Sequence, residues 1–241
     1  MNAYAEDQSL KGHEFRDQSL VGASFVECDL SDVVIRGSDI SGMEIDAPWL
    51  RFGKPLIVNG LDVGPFVEAD LNRRFPGREL QEAADPEGLR DAYAALEAAW
   101  VSLIRRAGSM PDGTVDRSVA GEWSFAQTLR HIVMATDKWV GRMLGTDPHP
   151  LGLNHAERDE GPPPPYDDVL AASEDRRRRV ADYLADVTPA QLDERVPHPN
   201  DPDNPEASES IRGCFHVILE EGWEHLRFAT RDLDLIDGEN S

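Results

Sequence analysis

Glu221-Gly-Trp-Glu-His225 sets a carboxylate and an imidazole four residues apart. In a helix that spacing puts both on one face, close enough to hold a single ion. Cys214, Ile218 and Phe228 share the face at 100° per residue, so it is mainly apolar and belongs against a core. A carboxylate there needs a counter-charge, because burying an unpaired charge costs several kcal/mol. A divalent metal supplies one. His216 lies nine residues before His225, about 180° around the same helix, and is excluded as a co-ligand. The third ligand has to come from a facing helix, and His131 is the best placed. Its face also carries Ser124, Gln127, Thr128, Ala135, Lys138 and Arg142, beside an apolar stripe of Phe125, Ile132, Trp139 and Met143. Two histidines and one carboxylate with an open position make a catalytic zinc pattern, and the same set holds iron or nickel. The competing reading is a buried hydrogen-bonded Glu–His pair with an unrelated histidine at the core edge. Lys138 and Arg142 could grip a carboxylate of a substrate or cofactor; ordinary pairing with Asp137 or solvent is the alternative. Cys214 reads as a small core residue. His149, His155 and His198 fall in predicted loops, where surface histidines are the default.

These residues need four helices to hold them. Apolar residues recur at three and four over about 86–106, from Trp123-Ser124 to about Leu144, over 166–187 and over 208–235. Trp123 before Ser124 reads as a staple and cap. The connections, Ser109 to Gly121, Asp147 to Pro165 and Thr188 to Ala207, are polar and rich in Pro and Gly. Upstream, residues 51–82 read as a connector: Pro55-Leu-Ile-Val-Asn-Gly60 as a short strand ending in a turn pair, then a short helix from Phe66, ended near Pro76-Gly77.

Trp123-Ser-Phe-Ala-Gln-Thr-Leu-Arg-His131 is similar to the second-helix signature of the DinB/YfiT-like superfamily, and His216-Val-Ile-Leu-Glu-Glu-Gly-Trp-Glu-His225-Leu-Arg resembles its final helix. The resemblance covers roughly residues 83–236. Most members carry His at the position of Glu221; the His…Glu…His version looks like the mycothiol-dependent maleylpyruvate isomerase branch. That resemblance implies a metal-held low-molecular-weight thiol, mycothiol in that branch, and chemistry at an electrophilic carbon: thiol transfer, or isomerisation through a thiol adduct.

The first fifty residues follow another rule. Leu10, Phe15, Leu20, Phe25, Leu30, Ile35, Ile40, Ile45 and Leu50 fall five apart without a slip. Neither the helix period of 3.6 nor the strand period of 2 puts them on one face. A solenoid does, with the apolar residue pointing inward. Segments such as Ala23-Ser-Phe-Val-Glu27 and Cys28-Asp-Leu-Ser-Asp32 resemble the pentapeptide-repeat family, which implies a right-handed quadrilateral β-helix of about two coils. Phe25 and Leu30 are then expected buried at its axis, with Cys28 a small inward residue. The expected fold is α+β: a pentapeptide-repeat coil over 1–50, the connector over 51–82 and a DinB-like four-helix bundle over 83–241.

Composition narrows the function. A formal charge of -22 repels phosphate backbones and anionic membrane. The one basic run, Arg176 to Arg179, is bracketed by Glu174, Asp175 and Asp182 and reads as a solvated helix face. No apolar stretch reaches the ~18 residues of a spanning helix, and the N-terminus lacks a signal-peptide pattern. Two cysteines without CxxC spacing fit a reducing compartment. The expectation is a cytoplasmic protein. Its first hypothesis is a metal-dependent thiol transferase or isomerase acting on a small electrophile, zinc being the first metal and nickel or iron the others. Its second is a binding or assembly module, a homodimer for example, with a metal-stabilised bundle. A DNA mimic ranks last, because two coils are too short to imitate a duplex.

Overall fold

The computed structural model describes residues 10–26, 28–154, 162–204 and 206–240. The chain divides into two compact units, residues 1–46 and 47–241.

In the first unit a backbone repeat matches the apolar one. Gly12, Asp17, Gly22, Asp32, Gly37 and Gly42 all have positive φ, so the chain turns left-handed two residues after Leu10, Phe15, Leu20, Leu30, Ile35 and Ile40. Every second corner is closed by a hydrogen bond: the amides of His13, Ala23, Val33 and Met43 donate to the carbonyls of Leu10, Leu20, Leu30 and Ile40. No strand forms among the described residues of this unit. Phe25 and Leu30, expected at a buried axis, are instead 59% and 50% exposed, and Cys28 is exposed as well. A repeat this short gives each apolar side chain too few stacked neighbours to cover it.

The second unit opens on a hairpin. Its strands β1 (Ile57–Val58) and β2 (Leu61–Asp62) pair antiparallel, Val58 opposite Leu61. The turn is Asn59-Gly60, both residues at positive φ, as a tight two-residue hairpin turn requires. Helix α1 (Gly64–Arg74) starts with Pro65 in its first turn and ends in Arg73 and Arg74, a charge order that suits its dipole. After a 3-10 turn at Arg78–Leu80 come α2 (Pro86–Ser109), α3 (Phe125–Leu144), α4 (Tyr166–Asp186), the single turn α5 (Pro189–Leu192) and α6 (Ile211–Asn240). Between α5 and α6, β3 (Arg195–Pro197) and β4 (Ser208–Ser210) pair antiparallel.

Four packed pairs, α2 with α6, α6 with α3, α3 with α4 and α4 with α2, close a bundle. Its core holds Leu89, Leu96 and Trp100 of α2, Leu129 and Val140 of α3, Val169, Val180 and Leu184 of α4, and Phe215, Leu219, Trp223 and Leu233 of α6. Cys214 is buried in that core, and burial pushes its thiol up to about 11. Helix α6 packs tightly on α2 at Gly222, where a Cβ would meet the Leu96 side chain at 2.5 Å. The Trp100 indole donates to the Gly222 carbonyl there. α1 is tied to the bundle by buried Arg78, which reaches Glu68 and Asn72 of α1 and Glu224 of α6.

The basic run on α4 is not a solvated face. Arg176 is buried and paired with Asp137 of α3, and Arg177 is paired with Glu97 of α2. Two successive residues stand about 100° apart on a helix, so α4, packed between α2 and α3, offers one arginine to each. Arg178 and Arg179 stay exposed beside Asp175.

Candidate metal centre

Helix α3 starts on a capping box. The Gln127 amide donates to Ser124 Oγ while the Ser124 amide donates to Gln127 Oε1. This fixes where the helix begins, and His131 comes two turns later. Helix α6 starts where Ser210 Oγ accepts the Gly213 amide. Glu221 and His225 follow on the stretch of α6 that packs against α3.

The three side chains converge. His131 Nε2 lies 3.5 Å and His225 Nε2 3.2 Å from the same Glu221 oxygen, Oε2. The three donor atoms all lie within 4.8 Å of one another. Two ligands each ~2.1 Å from a tetrahedral zinc stand about 3.4 Å apart, so the set fits one ion as well as it fits hydrogen bonds. Both histidines are buried, and Glu221 is half-buried. Burial works to raise the Glu221 carboxyl, but hydrogen bonds from His131 and His225, helped by their charge, outweigh it and hold the group well below the usual carboxylate range. The carboxylate is thus held ionised, the form that binds a cation.

Aromatic rings wall the group. Trp123 lies 4.6 Å from the His131 ring and stacks at 6.0 Å on His225, and Phe228 meets His225 edge-on at 5.9 Å. Behind His131, Nδ1 lies 3.1 Å from the Leu153 carbonyl. A carbonyl only accepts, so Nδ1 carries a proton there, and Nε2 is the ring nitrogen that faces Glu221 and would be the one to meet a metal.

On the other side a cleft of about 140 Å³ opens onto His131 and Glu221. Met134, Lys138 and Trp139 of α3 line it, with Asn154 and Asn200 from the connections. It is well below the ~300 Å³ at which drug-sized pockets begin, so it suits a small ligand. Lys138 is exposed at this cleft, and the Asp137 carboxylate is taken up by Arg176. Arg142 is exposed on α3 and is not among the residues lining the cleft. His216 hydrogen-bonds the Ala83 carbonyl at 2.8 Å, away from the site. His149 and His198 each accept a nearby amide, from Leu151 and Asn200, and His198 meets Trp139 edge-on. His155 lies outside the described residues.

Sequence reasoning missed Leu153, whose contribution is a backbone carbonyl and leaves no mark on residue type. It missed Asn154 and Asn200, loop amides without periodicity. It saw Trp123 only as a helix staple; the signal was available, since an aromatic eight residues before His131 lies within reach of the same face.

Two histidines and a glutamate on facing helices of a bundle, open to a small cleft, make a group that could hold a metal ion. The family model described as the DinB superfamily matches residues 68–229, more than half of the chain, and the chain belongs to that superfamily. The match begins within α1, upstream of the bundle's first long helix, which agrees with Arg78 tying α1 to α6. No curated protein and no solved structure matches the chain.

Proposed function

We propose that this protein is a metal-dependent enzyme that uses a low-molecular-weight thiol, mycothiol first among them, for transfer to or isomerisation of a small electrophilic substrate. The observation that carries the reading is the convergence of His131, Glu221 and His225 within 4.8 Å beside a small cleft. In this reading His131 and His225 give neutral nitrogens and Glu221 a negative charge to zinc, with nickel or iron as the other metals that suit the set. When bound, the metal lowers the thiol pKa and holds the thiolate as a nucleophile. Lys138 stands at the cleft to receive a carboxylate of the substrate or thiol; Arg142, further along α3, serves incoming anions as a more distant charge. Trp123 and Phe228 exclude water from the imidazoles. The excess of acidic residues disfavours nucleic acid and anionic membrane as partners, and no helix among the described residues is long and apolar enough to cross a membrane. A reducing cytoplasm suits a thiol-using enzyme with two free cysteines.

The first unit is read as a short right-handed quadrilateral pentapeptide coil, supported by the left-handed residues that recur at a five-residue spacing among its described residues. Its exposed apolar side chains favour a second reading, an assembly module in which that surface meets a partner or a second copy.

Elemental analysis of untagged protein, followed by thermal shifts with mycothiol and other small thiols, separates the two. The enzyme reading expects about one metal per chain and a thiol-induced shift that Glu221→Ala abolishes. Metal-free protein, or metal-loaded protein indifferent to every thiol and tightly dimeric, would favour the assembly reading.

A further inference from the structure

We infer that Asp137 and Arg176 are positioning residues for the metal site: they clamp the segment between α3 and α4 whose Leu153 carbonyl sets the orientation of His131. This rests on the metal reading above.

The clamp has two halves. The Asp137 carboxylate accepts Arg176 Nε at 2.6 Å and Nη2 at 3.2 Å, the His149 amide at 2.8 Å and the Thr146 hydroxyl at 3.1 Å. Arg176 Nη2 also donates to the Asp147 carbonyl at 2.9 Å. An ion pair that served only to join α3 to α4 would have no need of these backbone partners. They are aimed at residues 146–149, the start of the connection. From there the chain runs back along α3. Gly152 donates to the His149 carbonyl, Arg130 Nε donates to the Leu151 carbonyl at 2.9 Å, and the Leu153 amide donates to the Arg130 carbonyl at 3.2 Å. The last link is Leu153 O with His131 Nδ1.

The fit against α3 is close. A Cβ on Gly152 would lie 3.2 Å from the Met134 Cβ and 3.1 Å from the His149 carbonyl, so a side chain there presses the segment against α3 and its neighbours must give by a few tenths of an ångström. Leu153 itself is buried. Metal-binding histidines depend on the acceptor behind them for ring orientation and basicity, and loss of such partners costs 10–100-fold in affinity. The chain Arg176–Asp137–His149–Leu153–His131 therefore connects a buried ion pair to a ligand without touching the ion.

Two variants disturb the clamp by different routes. Asp137→Leu with Arg176→Met removes both charges together and leaves neither buried alone; Gly152→Val keeps the ion pair and wedges a branched side chain between the segment and Met134. Leu184→Ala, in the core of α4, is the control that loses stability without touching the connection. Cobalt(II) affinity by chelator competition and the visible spectrum of the cobalt form are the readouts. Both clamp variants are expected to lose about 10–100-fold in affinity and to shift the cobalt bands, while the control melts lower but keeps affinity and spectrum. Clamp variants that bind and absorb as wild type, or a control that loses as much as they do, would overturn the inference. His131→Ala in the same series tells the failures apart. If it too binds like wild type, the metal reading falls and this inference with it; if it alone weakens binding, only the clamp falls.

Discussion

Glu221 is the residue on which the site turns, since both imidazoles meet one of its oxygens. Replacing His131, Glu221 or His225 singly with Ala should lower zinc affinity strongly, whereas His216→Ala, held on the Ala83 carbonyl, should not. A chelator competition that ranks His216→Ala with the other three would overturn the assignment. Affinity should also fall as pH drops through the histidine range, because ligand imidazoles must be neutral to coordinate. The two cysteines make a second residue-level prediction. Burial pushes the Cys214 thiol up to about 11, whereas Cys28 is exposed. The native protein at pH 8 should alkylate once, at Cys28, and the denatured protein twice, as read by mass spectrometry. The Cys214 value is raised in the folded state, so its contribution to stability is present below the unfolded thiol value of ~8.5 and is lost as pH rises toward 11. Cys214→Ala should flatten stability over that alkaline window.

At the scale of elements, long periodic segments were legible and short ones were not. The cap at Ser124, the start of α4 at Tyr166 and the Asn59-Gly60 turn follow from local chemistry that the chain states openly. Helix α6 begins at Ile211 rather than Ser208 because 208–210 pair with Arg195–Pro197. That hairpin spans three residues a side with Pro197 in one of them, too brief for alternation to register. Arg176 was misread for a different reason: its neighbours on the chain are charged, but the partner that buries it, Asp137, belongs to another helix. The same argument covers Leu153 and the cleft amides, whose roles exist only once α3 and the following segment are packed. In the first unit the period was legible and the degree of burial was not, because burial depends on how many layers stack. The 3-10 turn offers an element-level test. Gly77 has φ +96°, and a Cβ there would lie 2.4 Å from the Ala95 Cβ on α2. Backbone strain and overpacking then act together, so Gly77→Ala should cost about 3 kcal/mol or more in urea unfolding. A loss below about 0.5 kcal/mol, the level of a neutral surface change, would mean that α1 and the turn can shift away from α2 freely.

For the whole molecule, charge is the dominant asymmetry: 46 acidic side chains against 24 Lys and Arg. Many arginines of the second unit are already committed, Arg51 to Glu82, Arg78 to Glu68 and Glu224, Arg106 to Asp234, Arg176 to Asp137, Arg177 to Glu97, Arg212 to Asp193 and Arg231 to Glu122. The remaining acids therefore repel one another across the surface. Salt acts on both sides of this balance. It weakens exposed ion pairs, each worth about 0–1 kcal/mol, and it screens the general repulsion, shrinking the Debye length from ~30 Å at 0.01 M to ~3 Å at 1 M. The pairs through Arg78 and Arg176 are buried and should change little. With an excess of 22 negative charges, relief of repulsion outweighs the exposed pairs. Melting followed by circular dichroism, with chelator present throughout so that metal binding does not contribute, should therefore rise between 0.01 and about 0.5 M sodium chloride, the range over which the Debye length collapses. A fall over that range would show that the surface ion pairs, rather than net charge, control stability. Added zinc should raise the melting point further at any salt concentration, by the mass action of a ligand that binds only the folded chain, and that increment should vanish in Glu221→Ala.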